Sequence, residues 1–349
     1  MSDFPSKVDA KINLTLFLIL CISLLVSSCQ KDDYLKGIDT NILFAPPTLA
    51  EIEAVKLDWQ NRDLAVNSFR IEQKSTLSEN GPVLQFVSFL VNNNREYGAL
   101  IIPNASVPLP VYLFLNGYSN DNPVNQYTLT INTSPAAPIP FIYAIPAFRG
   151  QTLILTINGK EYSSPPSEGR HSDAFDGGTD DAIAFLNVIQ AHFPQADANS
   201  VAVRGGSRGG TVALLMAERD KRVKLAVGVA FPTALIGLTA KHQNDPTYKS
   251  QFLQDLMDGS KSVTETRQKM IASSPLFFCE SLPKTQIHFG AEDTITPAEQ
   301  GDLLHNRLKE SGLESILEFY TYPGRSHANI ASDNHELTNR IQTFLSQLF

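Results

Sequence analysis

Residues 201–219 read VAVRGGSRGGTVALLMAER. A short β-branched apolar run, Val201-Ala202-Val203-Arg204, enters the hexapeptide Gly205-Gly206-Ser207-Arg208-Gly209-Gly210, and a helix-forming run follows from Thr211. This is G-x-S-x-G with a strand before it and a helix after it, the setting in which a serine sits on a tight, strained turn with its hydroxyl presented. The flanking glycines are read as necessary because a Cβ there would collide with the adjoining strand and helix. A phosphate-binding loop is excluded, since neither Gly-Lys-Ser/Thr nor a G-x-G-x-x-G register occurs.

A serine hydroxyl is a weak nucleophile at its free pKa and needs an oriented base. The elbow supplies its partners in the chain order Ser, Asp/Glu, His, so the search runs downstream. In 285–297 (TQIHFGAEDTITP) a strand runs into a turn and places Asp293 just past the strand end; Glu292 and Asp302 are the competing acids. In 317–329 (LEFYTYPGRSHAN) the next strand end carries His327 among small residues. The other six histidines fall in helical or polar stretches or, for His288, inside a strand. The expected roles are attack by Ser207, proton transfer by His327, and tautomer control and charge stabilisation by Asp293. The oxyanion then needs two donors. These are the backbone N–H of Arg208 and, from the turn after the strand at 111–115, that of Tyr118.

Working outward, apolar strand-like runs at 111–115, 141–146, 201–204, 225–230, 285–289 and 317–322 alternate with helical segments. Such alternation predicts an α/β fold: a mostly parallel central sheet with helices on both faces, whose chemistry gathers at the carboxyl ends of the strands. Upstream, 49–62 has helical spacing with Thr48 as N-cap. Strand-like stretches at 68–75, 83–91 and 97–102 follow, with Asn92-Asn93-Asn94 as a turn. They predict a helix and an antiparallel strand extension over 49–108. Residues 232–270 are long enough for two or three cap helices over the site, and Phe231 is placed to line an acyl pocket. Arg149 is read either as a ligand for a substrate carboxylate or as an ion pair with Asp180 or Asp181. The stretch 176–181 (DGGTDD) lacks the spaced oxygen ligands of a calcium loop and is read as a loop with a helix N-cap. No H-E-x-x-H spacing occurs, and the mechanism needs neither metal nor cofactor.

With Arg149-Gly150, the segment 180–186, GGSRGG, Ser274-Pro275-Leu276, HFGAEDTITP and YPGRSHANI in view, the chain from about residue 85 to its end resembles α/β-hydrolases, and more narrowly prolyl-oligopeptidase catalytic domains. Asn116-Gly117-Tyr118-Ser119 and Arg149-Gly150-Gln151 are similar to acetyl-xylan and cephalosporin-C deacetylase esterases. The resemblance implies an acyl-enzyme serine hydrolase acting on short peptides or esters. A carbohydrate acetyl esterase or other carboxylesterase is the alternative, and a catalytically idle surface-binding lipoprotein the second. Many prolyl-oligopeptidase relatives use a tyrosine hydroxyl where this chain has Asn116, a departure that favours an esterase-like oxyanion hole with Asn116 in the pocket. A propeller does not fit between the N-terminal segment and the sheet, so an open site is expected.

The 349 residues carry a formal charge of −8 and 42% hydrophobic residues, enough for a large core. An acidic chain without a Lys/Arg block lacks the footprint for nucleic-acid binding. Cys21 and Cys29 belong to one N-terminal segment, in which the apolar run 12–26 follows Lys7 and Lys11 and ends in Val26-Ser27-Ser28-Cys29. Fifteen residues suit a signal-peptide core better than a membrane span, which needs about 20. The run resembles a bacterial lipobox, and Gln30-Lys31-Asp32-Asp33 resembles the export tag of Bacteroidetes surface lipoproteins. These resemblances imply a signal peptide at 1–28, lipid on Cys29, a tether over 29–48, one catalytic domain over 49–349, and residence in the cell envelope, anchored to the outer membrane. Cys279 is then the sole thiol, read as a buried small hydrophobe. Oligomeric state is not legible.

Overall fold

The structure, a computed structural model, describes residues 34–118, 124–129 and 141–348. The signal-peptide, lipobox and export-tag readings, with Cys29, and the matched Ser119 lie outside the described residues. Two compact units divide after Thr40. Residues 34–40 of the first are mainly turns, one closed by Ile38 N–H on Leu35 O at 2.9 Å. The second, Asn41–Phe349, carries everything described below.

Helix α1 (Leu49–Asn61) starts on a reciprocal capping box: Thr48 accepts from Glu51 N–H while the Glu51 carboxylate accepts from Thr48 N–H. Residues 41–48, read from sequence as the end of a tether, lie against the domain. Buried Arg267 donates to the carbonyls of Ile42, Leu43 and Ala45 and to both Glu51 carboxylate oxygens. The hydrogen bond from Arg267, reinforced by Thr48 against the opposing effect of burial, holds the Glu51 carboxyl down at about 2. A depressed carboxyl contributes stability above its unfolded pKa, about 4.3, and loses it as pH falls through the folded value. Arg267→Ala should therefore cost about 3 kcal/mol at neutral pH. The gap between its melting temperature and that of the wild type should narrow as pH falls from 5 towards 2, read by scanning fluorimetry.

Strands β1 (Asn67–Thr76), β2 (Val83–Val91) and β3 (Asn94–Ile102) form the antiparallel extension. The β2–β3 turn is two residues long, with Asn92 and Asn93 at φ 49° and 63°, the left-handed pair that matches the twist of a hairpin. Then come β4 (Leu109–Leu115), β5 (Val124–Leu129), β6 (Ile142–Ala147), β7 (Thr152–Ile157) and β8 (Lys160–Pro166). Helix α2 (Asp176–His192), β9 (Ala196–Gly206), α3 (Arg208–Arg219), β10 (Val223–Val229), α4 (Leu235–Lys241), α5 (Val263–Ala272), β11 (Lys284–Gly290), α6 (Glu299–Glu310), β12 (Leu317–Tyr322) and α7 (His335–Leu345) complete the order.

The main sheet has nine strands in the order β1-β2-β3-β6-β4-β9-β10-β11-β12, and from β6 onward neighbouring strands are parallel. Helices α2, α3 and α6 bury Phe185, Leu214 and Leu304 against one face, and α7 buries Leu337, Ile341 and Phe344 against the other. The next strand of this sheet, β6, lies on one side of β4, and β9 and the strands after it lie on the other, which makes the carboxyl end of β4 a topological switch point, where ligands gather in open α/β sheets. A second sheet, β5-β7-β8, packs Leu153, Leu155 and Ile157 onto Phe86, Ile101 and Ile145 of the first.

Residues 176–181, expected to be a loop, are instead the opening turns of α2, and Phe175 at the N-cap makes no side-chain capping bond. The reason is charge: buried Asp176 and Asp180 accept from Arg62 and Arg219, so the arginine that caps the end of α1 and the last residue of α3 neutralise the helix start.

Candidate active site

Ser207 occupies the turn between β9 and α3 at φ 52° and ψ −128°, outside the regions an L-residue prefers. Its N–H donates to Val229 O at 2.9 Å, tying the turn to β10. The turn is possible only because of two glycines. A Cβ on Gly205 would lie 2.0 Å from Gly209 O, and one on Gly209 would lie 2.1 Å from Leu115 O, both rigid backbone. Gly206 differs from the expectation for flanking glycines, since its Cβ would meet only Val229 O at an ordinary 3.7 Å.

The carboxyl ends of β9, β11 and β12 bring the chemistry together. Ser207 Oγ lies 3.1 Å from His327 Nε2, and His327 Nδ1 lies 2.9 Å from Asp293 Oδ2. The loops after β11 and β12 are cross-tied: Ala291 N–H donates to Tyr322 O at 3.0 Å and Glu292 N–H to Arg325 O at 2.8 Å. Asp293 is buried, whereas Glu292 is exposed. Ile295 and Thr296 donate backbone N–H groups to Asp293 Oδ1, and Thr296 Oγ1 donates to Oδ2. Burial pushes the Asp293 carboxyl up, but the bonds from His327 and Thr296 outweigh it and hold the group below its ordinary value. An ionised Asp293 favours the proton on His327 Nδ1, leaving Nε2 to accept from Ser207. Thr296 escaped the sequence reading, although its place three residues after an aspartate is a turn signal.

The second wall comes from the carboxyl end of β4. A Cβ on Gly117 would lie 3.6 Å from Ser207 Cβ, so this backbone runs alongside the nucleophile. Buried Arg208 fixes its orientation: Nε donates to Asn116 O, and Nη2 to Asn116 Oδ1, Gly117 O and Gln151 Oε1, at 2.8–3.0 Å. In a trans peptide the carbonyl and the following N–H point opposite ways. With both carbonyls turned to Arg208, the N–H groups of Gly117 and Tyr118 face away from it. Burial pushes the Arg208 guanidinium down to about 10, leaving it charged at neutral pH. The Tyr118 ring stacks on His171, with centroids 4.6 Å apart.

Ser207, His327, Asn116, Gly117 and Tyr118 line one cavity of about 510 Å³. The small sheet supplies a wall unforeseen from sequence, through Val124, Gln126 and Tyr127 of β5. Three expectations are corrected. Phe231 does not line the cavity: it is fully buried beneath Gly210 and Gly228 and packs on Phe289 at 5.2 Å, because only glycines leave room there for a ring. Arg149 is not in the cavity either, so of its two readings the substrate-carboxylate one falls and the ion pair holds, with Asp181 and with Asp173 besides. Nor do residues 232–270 cover Ser207. Their Phe252, Asp255 and Lys269 line a separate, highly charged cavity of about 620 Å³ beside Arg149 and Asp173. Cys279 is fully buried, and burial together with Glu280 and Glu218 pushes its thiol up to about 12, so it is no nucleophile. His288 is held inside β11 between Tyr322 and Gln286, with burial pushing it down to about 3.

A large mixed sheet with helices on both sides, and a serine, a histidine and an aspartate brought together at its carboxyl edge, define an α/β-hydrolase. Residues 141–349 match the model of the prolyl oligopeptidase family, Peptidase_S9, and the chain belongs to that family; it is a serine hydrolase. Among solved structures it is similar to acetyl xylan esterase 1 from Thermoanaerobacterium sp., with 15% identity over 87% of this chain and 95% of that one and a TM-score of 0.62. It is also similar to the acetyl xylan esterase from Paenibacillus sp. R4 (16% identity, 88% and 99% covered, TM-score 0.58). A third neighbour is the Pyrococcus horikoshii acylaminoacyl peptidase, at 13% identity and TM-score 0.51; the match covers 82% of this chain but 50% of that one. No curated protein sequence matches the chain.

Proposed function

We propose that the chain hydrolyses small acyl esters through a Ser207-His327-Asp293 triad. Ser207 attacks the ester carbonyl as His327 Nε2 takes its proton; the imidazolium then protonates the leaving alcohol, and water repeats the sequence on the acyl-enzyme. The backbone N–H groups of Arg208 and Tyr118 receive the oxyanion. Arg208 is the first residue of α3, so its N–H has no acceptor within the helix. The observation that carries the triad is the continuous Ser207–His327–Asp293 chain at 3.1 and 2.9 Å.

The ester reading is supported by whole-length correspondence with the two acetyl xylan esterases, against half the length of the peptidase, and by a cavity walled by the chain's own β5. Cleavage of short peptides is the second reading, favoured by the family to which residues 141–349 belong. Side-by-side assays on 4-nitrophenyl acetate, acetylated xylo-oligosaccharide and dipeptidyl amides separate them. Turnover confined to esters supports the first reading, and preference for the amides overturns it. Attachment to the cell envelope through lipid on Cys29 is part of the same proposal and is supported by sequence alone.

Asp293→Asn should lower kcat by about 10⁴-fold, because an amide cannot stabilise the imidazolium and favours the wrong tautomer. Its effect on stability has a definite sign. Since the folded Asp293 carboxyl is depressed, the wild type should exceed the variant in stability at pH 7 and lose that excess below about pH 4, the unfolded value. Urea melts of the two proteins at pH 7 and pH 3 check this.

A further inference from the structure

The Ser207 cleft contains a base that the proposed mechanism does not use. Arg204 lies on β9 three residues before Ser207, about 10 Å back along the strand at ~3.3 Å per residue. It lines the same cavity and shares a sheet face with Gly206. Its guanidinium is centred 5.4 Å from the Phe114 ring and lies close to the Tyr112 phenol. A guanidinium has five donors in a planar fork that matches a carboxylate. Among the described residues no carboxylate lies within ion-pair distance of Arg204, whereas Arg62, Arg149, Arg219 and Arg267 each hold one. A second unspent donor stands in the same cavity. Tyr127 meets Phe114 edge-on with ring centroids 5.0 Å apart, and its hydroxyl is buried without a partner. A buried hydroxyl left unpaired is costly, and a half-buried cation in a substrate cleft calls for an anion.

We propose that Arg204 and the Tyr127 hydroxyl form an anion subsite, so that the enzyme selects esters carrying a carboxylate a few atoms from the scissile carbonyl. The proposal rests on the serine-esterase reading above. Phe114 and Val124 give an apolar wall for the intervening chain, and the span from Arg204 to Ser207 suits a carboxylate separated from the reacting carbonyl by about three methylenes.

Matched probes test it: the 4-nitrophenyl monoester of glutaric acid against its methyl-capped form, and butyrate esters of 4-hydroxybenzoic acid and of methyl 4-hydroxybenzoate. The first pair places the charge on the acyl side, the second on the leaving group. In R204Q the ratio of kcat/KM for charged over neutral probe should fall roughly 10- to 100-fold, mainly through KM. R204K should retain part of the preference, and Y127F should lose less of it than R204Q. A charged-to-neutral ratio that R204Q leaves unchanged in both pairs overturns the subsite. Turnover of the neutral probes by the wild type and its loss in S207A report on the esterase reading alone. An enzyme dependent on Ser207 but indifferent to charge overturns only the subsite; a folded wild type that turns over no probe overturns both.

Discussion

Ser207→Ala is expected to remove at least 10⁴-fold, and up to about 10⁶-fold, of kcat towards 4-nitrophenyl acetate while leaving the melting temperature at or slightly above the wild-type value. The rate loss follows from chemistry: without Oγ there is no acyl-enzyme, and His327 with Asp293 has only water to activate. The residue left behind keeps the Arg208 N–H and the β4 turn in place, so the remaining rate measures oxyanion stabilisation and binding rather than zero. The stability expectation follows from the elbow. Residue 207 stands at φ 52°, where strain is inherent to the backbone and not to the hydroxyl. Alanine inherits that strain, while removing a half-buried hydroxyl whose hydrogen-bond partner is His327 costs little.

Gly209→Ala is expected to have the largest effect on folding. Its Cβ would fall 2.1 Å from Leu115 O and 2.6 Å from Asn116 O, and neither atom can retreat. Leu115 ends β4, which pairs with β9 up to Gly205, while the Asn116 carbonyl is held by Arg208. Relief requires α3 to move off the sheet, and α3 is buried along most of its length. The cost should be at least about 3 kcal/mol, or a fall in melting temperature of roughly 6 °C or more. Gly206→Ala is the control. It stands on the same turn, yet its Cβ finds ordinary contact, and its stability should stay within about 0.5 kcal/mol of wild type. Thermal melts of the two variants compare them directly; equal melting points would contradict the close backbone approach.

What was legible in sequence is what local chemistry dictates. The parallel strands announced themselves as continuous apolar runs, and the glycines of residues 205–210 marked a turn that only glycine can make. Asp293 and His327 stand out because each lies in a turn just past a strand end, where the chemistry of such a sheet gathers. What escaped depends on packing between distant segments. Phe231 was located correctly at a strand end, but the direction of its ring is set by the space above Gly210 and Gly228. The segment 232–270 was read as helical, and much of it is. Its position, away from Ser207, depends on contacts with α1 and Asp173 that have no local signature. The small sheet is a different case. Asn158-Gly159, both at positive φ between β7 and β8, is a strong hairpin signal in the sequence. That signal marks β7 and β8 alone; β5, and with it the Tyr127 wall of the cleft, joins them by parallel pairing that leaves no local mark. Arg204 ends an apolar strand run, and alternation places it opposite Val203 and Gly205, on the face that opens into the cavity.

The central claim is that Ser207 is the nucleophile of a working esterase, and the most direct test is covalent capture. The native protein is treated with a fluorophosphonate and digested, and the adduct is located by mass spectrometry. One stoichiometric adduct is expected on the peptide containing Ser207, formed in the wild type, slowed by several orders of magnitude in D293N and absent from S207A. A folded wild type that stays unlabelled, or carries the adduct on another residue, would contradict it.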